Sequence, residues 1–290
     1  MTGDRLLVPI ANPETADRLL DTAVDLAHDR DLEIVVLTVI TVPMQLSLAQ
    51  ASRLLETEAD EDLVYDAVDR IRGYGVEATG RIRFGRSVAN GVCSVAADAN
   101  VEAILLGWRG RPRRRDVVLG SHIDAVLDDA PCDVLVERID RDRGSVSSVL
   151  VPVAGGPHTE LAASIAGSIA RAHDASVELL TVVPDRDEET VAGARDLLTG
   201  TSPRLGAVDS VEETVLEGPI VDTIVDRTER HDATVLGAAE SGLFRRTLVG
   251  DVPEAIAREA DGGVVMVKRT EPVSRTLWRR SRDRIESLVR

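Results

Sequence analysis

Apolar residues follow two rhythms along this chain. Short runs of valine, leucine and isoleucine, nearly continuous in apolarity, stand near 5–10, 34–41, 76–83, 103–108 and 133–138. Between them, near 15–30, 47–73, 87–98 and 120–129, apolar positions recur at helical spacing. Runs of this length and β-branched content are those of parallel strands covered on both faces. Their alternation with helices predicts an α/β domain with a mainly parallel, doubly wound sheet and right-handed crossovers. In such sheets ligands sit at the carboxyl ends of strands, where the strand order reverses.

The rhythm then runs a second time. "LLVPIANPE" (6–14) returns as "VLVPVAGGP" (149–157), each an apolar run broken at Val-Pro and followed by turn-forming residues. Helical patterns follow at 16–30 and 160–174. "IVVLTVI" (34–40) answers "VELLTVV" (177–183), and "FGRSVANGV" (84–92) answers "EGPIVDTIV" (217–225). "AILLGWRG" (103–110) answers "TVLGAAES" (234–241), and "CDVLVER" (132–138) answers "GGVVMVK" (262–268). The chain is an internal duplication, with domains expected at 1–140 and 146–270, a linker around 140–147 and a tail at 271–290. In the second copy the stretch between strands two and three is shorter, with one modest helix near 188–198. A length of 290 residues suits two domains, each with its own core.

Composition narrows the class. The apolar fraction is 43% while aromatic residues make up only 2%, so the core is aliphatic. Acidic residues outnumber basic ones 50 to 34, for a net charge of −16, and Lys268 is the one lysine. An acidic, lysine-poor surface fits a salt-rich cytoplasm, and it also fits an ordinary acidic cytosolic protein. The N-terminal residues lack the basic and apolar regions of a secretory signal, and no apolar run approaches the ~20 residues of a membrane span. Cys93 and Cys132 are too few for a disulfide framework and have no metal-ligand spacing. A cytoplasmic protein without a metal site is expected.

One stretch departs from the acidic background. "LLGWRGRPRRRDVVLGS" (105–121) holds Arg109, Arg111, Arg113, Arg114 and Arg115 within a frame of glycines. Gly107 stands at the end of the fourth strand and Gly120-Ser121 opens the next helix. Gly107 and Gly110 let the backbone approach a ligand closely. The free N–H groups at the helix start favour an anion, and Ser121 can cap that helix or donate to a phosphate. The His122 N–H can join this cradle, while its ring can equally face solvent. The arginines add attraction and bidentate contacts, or form a solvated loop that balances nearby carboxylates.

The spacing Gly107, two residues, Gly110, nine residues, Gly120-Ser121, after a fourth buried strand, resembles the nucleotide-binding motif of the universal stress protein family. The Val-Pro ending the first strand and the "LTVI" of the second also resemble that family, and the likeness extends over nearly the whole chain as two tandem copies. The resemblance implies two Rossmann-like domains, each a five-stranded sheet of order 3-2-1-4-5, with the fifth strands available for pairing into a pseudo-dimer. It implies ATP, with or without Mg²⁺, as ligand. Pro9, Ile10 and Ala11 would border the nucleotide, Val39 would touch adenine, and Leu106, Gly107, Gly110, Gly120 and Ser121 would line ribose and phosphates. Arg109 and His122 join this set from the cradle. The output would be a stress-responsive regulatory change rather than turnover.

Two departures qualify that picture. ATP-binding members of the family carry an aspartate where this chain has Ala11 and Ala154. The opening "VPIANPETA" and the "GWRG" turn look more like stress-protein domains associated with amino-acid and cation transporters. A rival reading is therefore a nucleotide-independent module that regulates a membrane transporter. In the second copy the motif reads Gly237, Glu240, Gly250, Asp251, with carboxylates in place of a glycine and the serine. Negative charge against a polyphosphate is repulsive, so that copy is expected to bind no ATP.

The remaining candidates read as structural. His28, His173 and His231 lie near helix C-termini, where positive charge suits the dipole. Turn chemistry accounts for Gly155, Gly156 and Pro157 beside His158. No nucleophile–base set or paired carboxylates indicate an enzyme; slow ATP hydrolysis aside, none is expected. "RGRPRRRD" lacks the aromatics of a nucleic-acid patch, and the acidic body would repel one. In the tail, Leu277, Trp278, Ile285, Leu288 and Val289 form an apolar stripe among arginines on a helix, suited to a membrane surface, a transporter, this chain's own sheet or a second subunit.

Overall fold

The first helix begins where Asn12 makes it begin. Its backbone is extended (φ −166), its side chain accepts from the Thr15 N–H at 2.9 Å, and Pro13 takes the first helical position, where no N–H is needed. The computed structural model describes residues 4–47, 50–51, 57–109, 121–140, 144–185, 187–238 and 251–270. The first half runs β1 (Arg5–Pro9), α1 (Pro13–Arg30), β2 (Glu33–Thr41), α2 (Glu58–Gly73), β3 (Ala78–Gly85), α3 (Val88–Asp98), β4 (Ala103–Trp108), α4 (Ser121–Asp129) and β5 (Asp133–Arg138). The second half repeats it as β6 (Ser148–Pro152), α5 (Gly156–His173), β7 (Ser176–Val183), α6 (Glu188–Thr201) with a 3₁₀ turn (Ser202–Leu205), β8 (Val211–Glu217), α7 (Ile220–Thr228), β9 (Ala233–Gly237), α8 (Asp251–Glu259) and β10 (Gly263–Lys268).

Within the stretch 47–73 expected to be helical, residues 50 and 51 are helical and Thr57 is not. The helix that follows starts at Glu58, where Glu58, Asp60 and Glu61 place negative charge at the positive end of the helix dipole. A turn closed by Leu46 N to Pro43 O precedes it, and Arg86 donates to the carbonyls of Val42, Pro43 and Leu46, fixing that turn against the end of β3. The C-terminal tail, and the loops holding Gly110, Gly120, Glu240 and Gly250, lie outside the described residues.

Within each half every strand pair is parallel, and the order is 3-2-1-4-5. The fifth strands then pair with each other, antiparallel, through Val134–Lys268, Leu135–Val267, Val136–Met266 and Glu137–Val265. One ten-stranded sheet results, in the order β3-β2-β1-β4-β5-β10-β9-β6-β7-β8. Alternate strand residues feed two aliphatic layers, each continuous across both halves. Leu6, Val8, Leu135, Val149 and Val267 face α1, α2, α5 and α6, while Leu7, Val35, Val136, Leu150 and Met266 face α3, α4, α7 and α8. This two-sided burial explains why the strands read as unbroken apolar runs.

Polar contacts reinforce the junction. On one face α1 lies against α5: Arg171 grips Asp29 through two bonds of 2.6 and 2.7 Å, Arg30 donates to Ser164 and Ser168, and His173 Nε2 lies 2.9 Å from Asp25. The hydrogen bonds from Arg171 hold the Asp29 carboxyl below its ordinary range. At the ends of the paired strands, each half closes a helix of the other. Arg138, its side chain only 2% exposed, donates to the carbonyls of Ala257, Ala260 and Gly262 at the C-terminus of α8. Lys268 reaches the Leu127 carbonyl near the C-terminus of α4. Cations at helix C-termini satisfy carbonyls that have no partner within the helix.

At one buried position of the second strand the halves differ in charge. Val35 stands opposite Leu7 in the first half, whereas Glu178 stands opposite Leu150 in the second. Burial would push the Glu178 carboxyl up, but hydrogen bonds from His231 (2.8 Å) and Arg227 (2.9 Å) hold it down at about 2.

Two outcomes follow. Arg138→Met leaves three helix-end carbonyls without their donor and is expected to lower the unfolding free energy by about 2–4 kcal/mol in urea titrations; a loss below ~0.5 kcal/mol would show that water replaces it. Because the pKa of Glu178 falls from an ordinary 4.5 to about 2 on folding, its ionised form stabilises the fold fully above about pH 5. That contribution fades as the pH drops from 4.5 toward 2. The stability gap between wild type and Glu178→Gln should hold steady from about pH 7 to pH 5 and close below pH 4; a pH-independent gap would contradict this.

Candidate functional site

A parallel sheet exposes backbone at the carboxyl ends of its strands, and the reversal in strand order between β1 and β4 opens a crevice there. In the first half the chain leaves β1 through Ile10, whose N–H donates to Leu37 O at 2.9 Å and whose carbonyl accepts from Thr38 Oγ1 at 3.3 Å. It leaves β4 through Gly107 and Trp108, and the Trp108 carbonyl is taken by the Ile139 N–H at 2.8 Å. Between these ends lies a cavity of about 320 Å³.

Its walls come from five directions. Pro9, Ile10 and Ala11 form one rim, Leu37, Thr38 and Val39 another, and Leu106, Gly107 and Arg109 a third. Val88 and Val92 of α3, with His122, Ile123 and Val126 of α4, close one side; Thr15 and Asp60 stand opposite. The body is apolar, with polar groups at the edges. A Cβ on Gly107 would lie 3.0 Å from Ile139 Cδ1 and 3.2 Å from Thr15 Cγ2, so glycine keeps this floor open. Arg109 is exposed and pairs with Glu14 in the first turn of α1 at 2.7 Å.

Eight of the residues singled out in the sequence therefore meet in one cavity: Pro9, Ile10, Ala11, Val39, Leu106, Gly107, Arg109 and His122. Ser121 stands at the start of α4, next to His122 but not among the lining residues. Gly110, Gly120 and Arg111–Arg115 lie outside the described residues. Sequence reasoning missed Thr15, Leu37, Thr38, Asp60, Val88, Val92, Ile123, Val126 and Ile139. Only the i, i+4 spacing of Val88 and Val92 carried a signal, and it marks a buried helix face without saying what the face covers.

The corresponding corner of the second half is built differently. Gly155 (φ +86) and Gly156 (φ +78) replace Asn12 and Pro13, in backbone conformations that only glycine adopts readily. They bring α5 close to β9, so that a Cβ on Gly237 would lie 2.8–2.9 Å from the backbone of His158 and Thr159. Arg269, which follows β10 as Ile139 follows β5, donates its N–H to His158 Nδ1 at 3.0 Å. Main chain and a pinned imidazole stand where the first half has side-chain ends and open space.

Other chemistry is sparse. Both cysteines are buried, and burial pushes the Cys93 thiol up to about 12, far from a reactive thiolate. Among the described residues no group of His, Cys, Asp and Glu is arranged to hold a metal ion, and no helix is long and apolar enough to cross a membrane. His28 Nε2 lies 2.9 Å from the Tyr74 carbonyl; with His173 on Asp25 and His231 on Glu178, these rings make specific bonds beyond any dipole effect.

Comparison with known proteins agrees with this architecture. A universal stress protein from Archaeoglobus fulgidus shares the fold at a TM-score of 0.68, with 19% identity, covering 93% of this chain and all (100%) of that one. The cytoplasmic domain of a prokaryotic cation chloride cotransporter does so at 0.66, with 13% identity, over 91% of this chain and 95% of that domain. The Na⁺/H⁺ antiporter NhaS5 of Synechocystis sp. is 24% identical over 266 residues; this chain spans 38% of that antiporter's length. The sequence profile of the universal stress protein family matches twice, at residues 3–138 and 146–268. With two tandem copies of that domain in one sheet, the chain belongs to the universal stress protein family.

Proposed function

We propose that this protein is a non-catalytic nucleotide-binding regulator with one working site, in its N-terminal half, for ATP carrying Mg²⁺ on its phosphates. The observation that carries this reading is the cavity at the ends of β1, β2 and β4, whose floor Gly107 keeps open. Its apolar body suits a purine between Val39, Val88 and Val92. Arg109 and the start of α4 suit phosphates, since cations and helix N-termini favour anions. The second half would bind no nucleotide: α5 crowds Gly237, and Asp251 stands where the first half has Ser121. The absence of a catalytic set in the sequence makes the output conformational. The acidic, lysine-poor composition supports work in a salt-rich cytoplasm under stress.

A second reading has its own support. The antiporter relative and the cotransporter's cytoplasmic domain favour a chain that acts on a membrane transporter, at the cytoplasmic face. Ala11 favours a version of that role without nucleotide. The two readings combine if nucleotide occupancy sets the affinity for the transporter.

Calorimetric titration of Mg-ATP in high potassium chloride is expected to give one site per chain, with Gly107→Val abolishing it by filling the floor. No heat in the wild type would overturn the nucleotide reading and leave the transporter module. The two glycines should also differ in stability. Gly107→Ala meets only side-chain ends and is expected to cost less than about 1 kcal/mol, whereas Gly237→Ala meets backbone and is expected to cost about 1–3 kcal/mol in urea unfolding. Equal costs would show that the two corners are equivalent.

A further inference from the structure

The cavity is polarised, and its polarity says more than that an anion can enter. Arg109 and His122 stand on the β4 side, at the end of the crevice where α4 begins. On the opposite side, near β2, the one carboxylate that lines the cavity among the described residues is Asp60, in the first turn of α2. Its helix neighbours are otherwise engaged: Glu61 takes a 2.6 Å bond from Thr57, and Arg70 binds Asp17 and Asp21. Asp60 itself makes no hydrogen bond or ion pair with the described residues. An acceptor-only group at the edge of an apolar cavity is matched by a ligand that brings a donor.

We propose that Asp60 is the specificity residue of this cavity: it accepts a hydrogen bond from an uncharged donor at the end of the ligand remote from its phosphates. The proposal rests on the nucleotide reading above and deepens it. In a nucleotide the donor is the exocyclic amine of the base or a ribose hydroxyl. A carboxylate contributed by α2 would supply the negative acceptor that neither Ala11 nor any other lining residue of β1 provides. It would also repel ligands bearing a second phosphate at the nucleoside end, because like charges in a half-desolvated crevice are unfavourable. The site would then take an adenine nucleotide with one anionic end and discriminate against doubly phosphorylated ones.

The test is titration of the full chain, wild type and Asp60→Ala, with Mg-ATP, inosine triphosphate, 2′-deoxyATP and 3′-deoxyATP. Glu58→Ala removes a charge from the same helical turn without touching the cavity, and so controls for any effect through the helix dipole. ATP affinity is expected to fall about tenfold in Asp60→Ala, the size of a hydrogen bond to a charged group, and to be unchanged in Glu58→Ala. One analogue should already bind the wild type about tenfold more weakly than ATP and lose nothing further in Asp60→Ala, which identifies the donor as amine or hydroxyl. Unchanged ATP binding in Asp60→Ala, or an equal loss in Glu58→Ala, would overturn the role of Asp60 while leaving the nucleotide site in place. No ATP binding by the wild type would overturn both.

Discussion

The antiparallel pairing of β5 with β10 determines how the two halves of this molecule relate. Four residue pairs join two parallel five-stranded sheets into one. Because strands are parallel within a half and antiparallel across the join, the carboxyl ends of the two halves point in opposite directions. The strand-end crevices of the two halves therefore open in opposite directions. The same pairing brings Arg138 under α8 and Lys268 to α4. The helix whose start borders the N-terminal cavity thus has its far end bonded to the other half, a direct physical path between the cavity and the C-terminal domain.

Within that shared frame the copies have diverged at the carboxyl ends of their strands. Asn12 caps α1 with its side chain and keeps the helix start clear of Gly107; Gly155 and Gly156 bring α5 against Gly237. The buried Val35 of the first half becomes Glu178, which now organises Arg227 and His231. A buried ion pair of this kind is costly to assemble and strongly destabilising to break. The first half keeps an aliphatic layer and an open crevice. The strand end at Gly107 thus faces side-chain ends, and the one at Gly237 faces backbone.

Much of this was legible in the amino-acid sequence because parallel strands are buried on both faces and announce themselves as unbroken apolar runs. The duplication and the strand positions follow from that pattern, and Gly107 from its place at the carboxyl end of a strand; the rim residues Pro9, Ile10, Ala11, Val39 and Leu106 follow from the resemblance to the universal stress protein family. What was hidden depends on which distant segments meet. Val88, Val92, Ile123 and Val126 look like any buried helix stripe, and Asp60 like any acidic residue in a first turn. Nothing in the sequence says where Arg138 and Lys268, at the ends of the fifth strands, will reach. Only the packing of the other half turns them into donors to its helix ends.

The central claim is that one corner of this duplicated fold is open to a nucleotide and the other is filled. Backbone hydrogen exchange with and without Mg-ATP, followed peptide by peptide, tests it most directly. The account predicts slowed exchange at residues 9–15, 104–109 and 121–126, with no change at 152–159 or 233–238. Protection in the second set, or in neither, would contradict it.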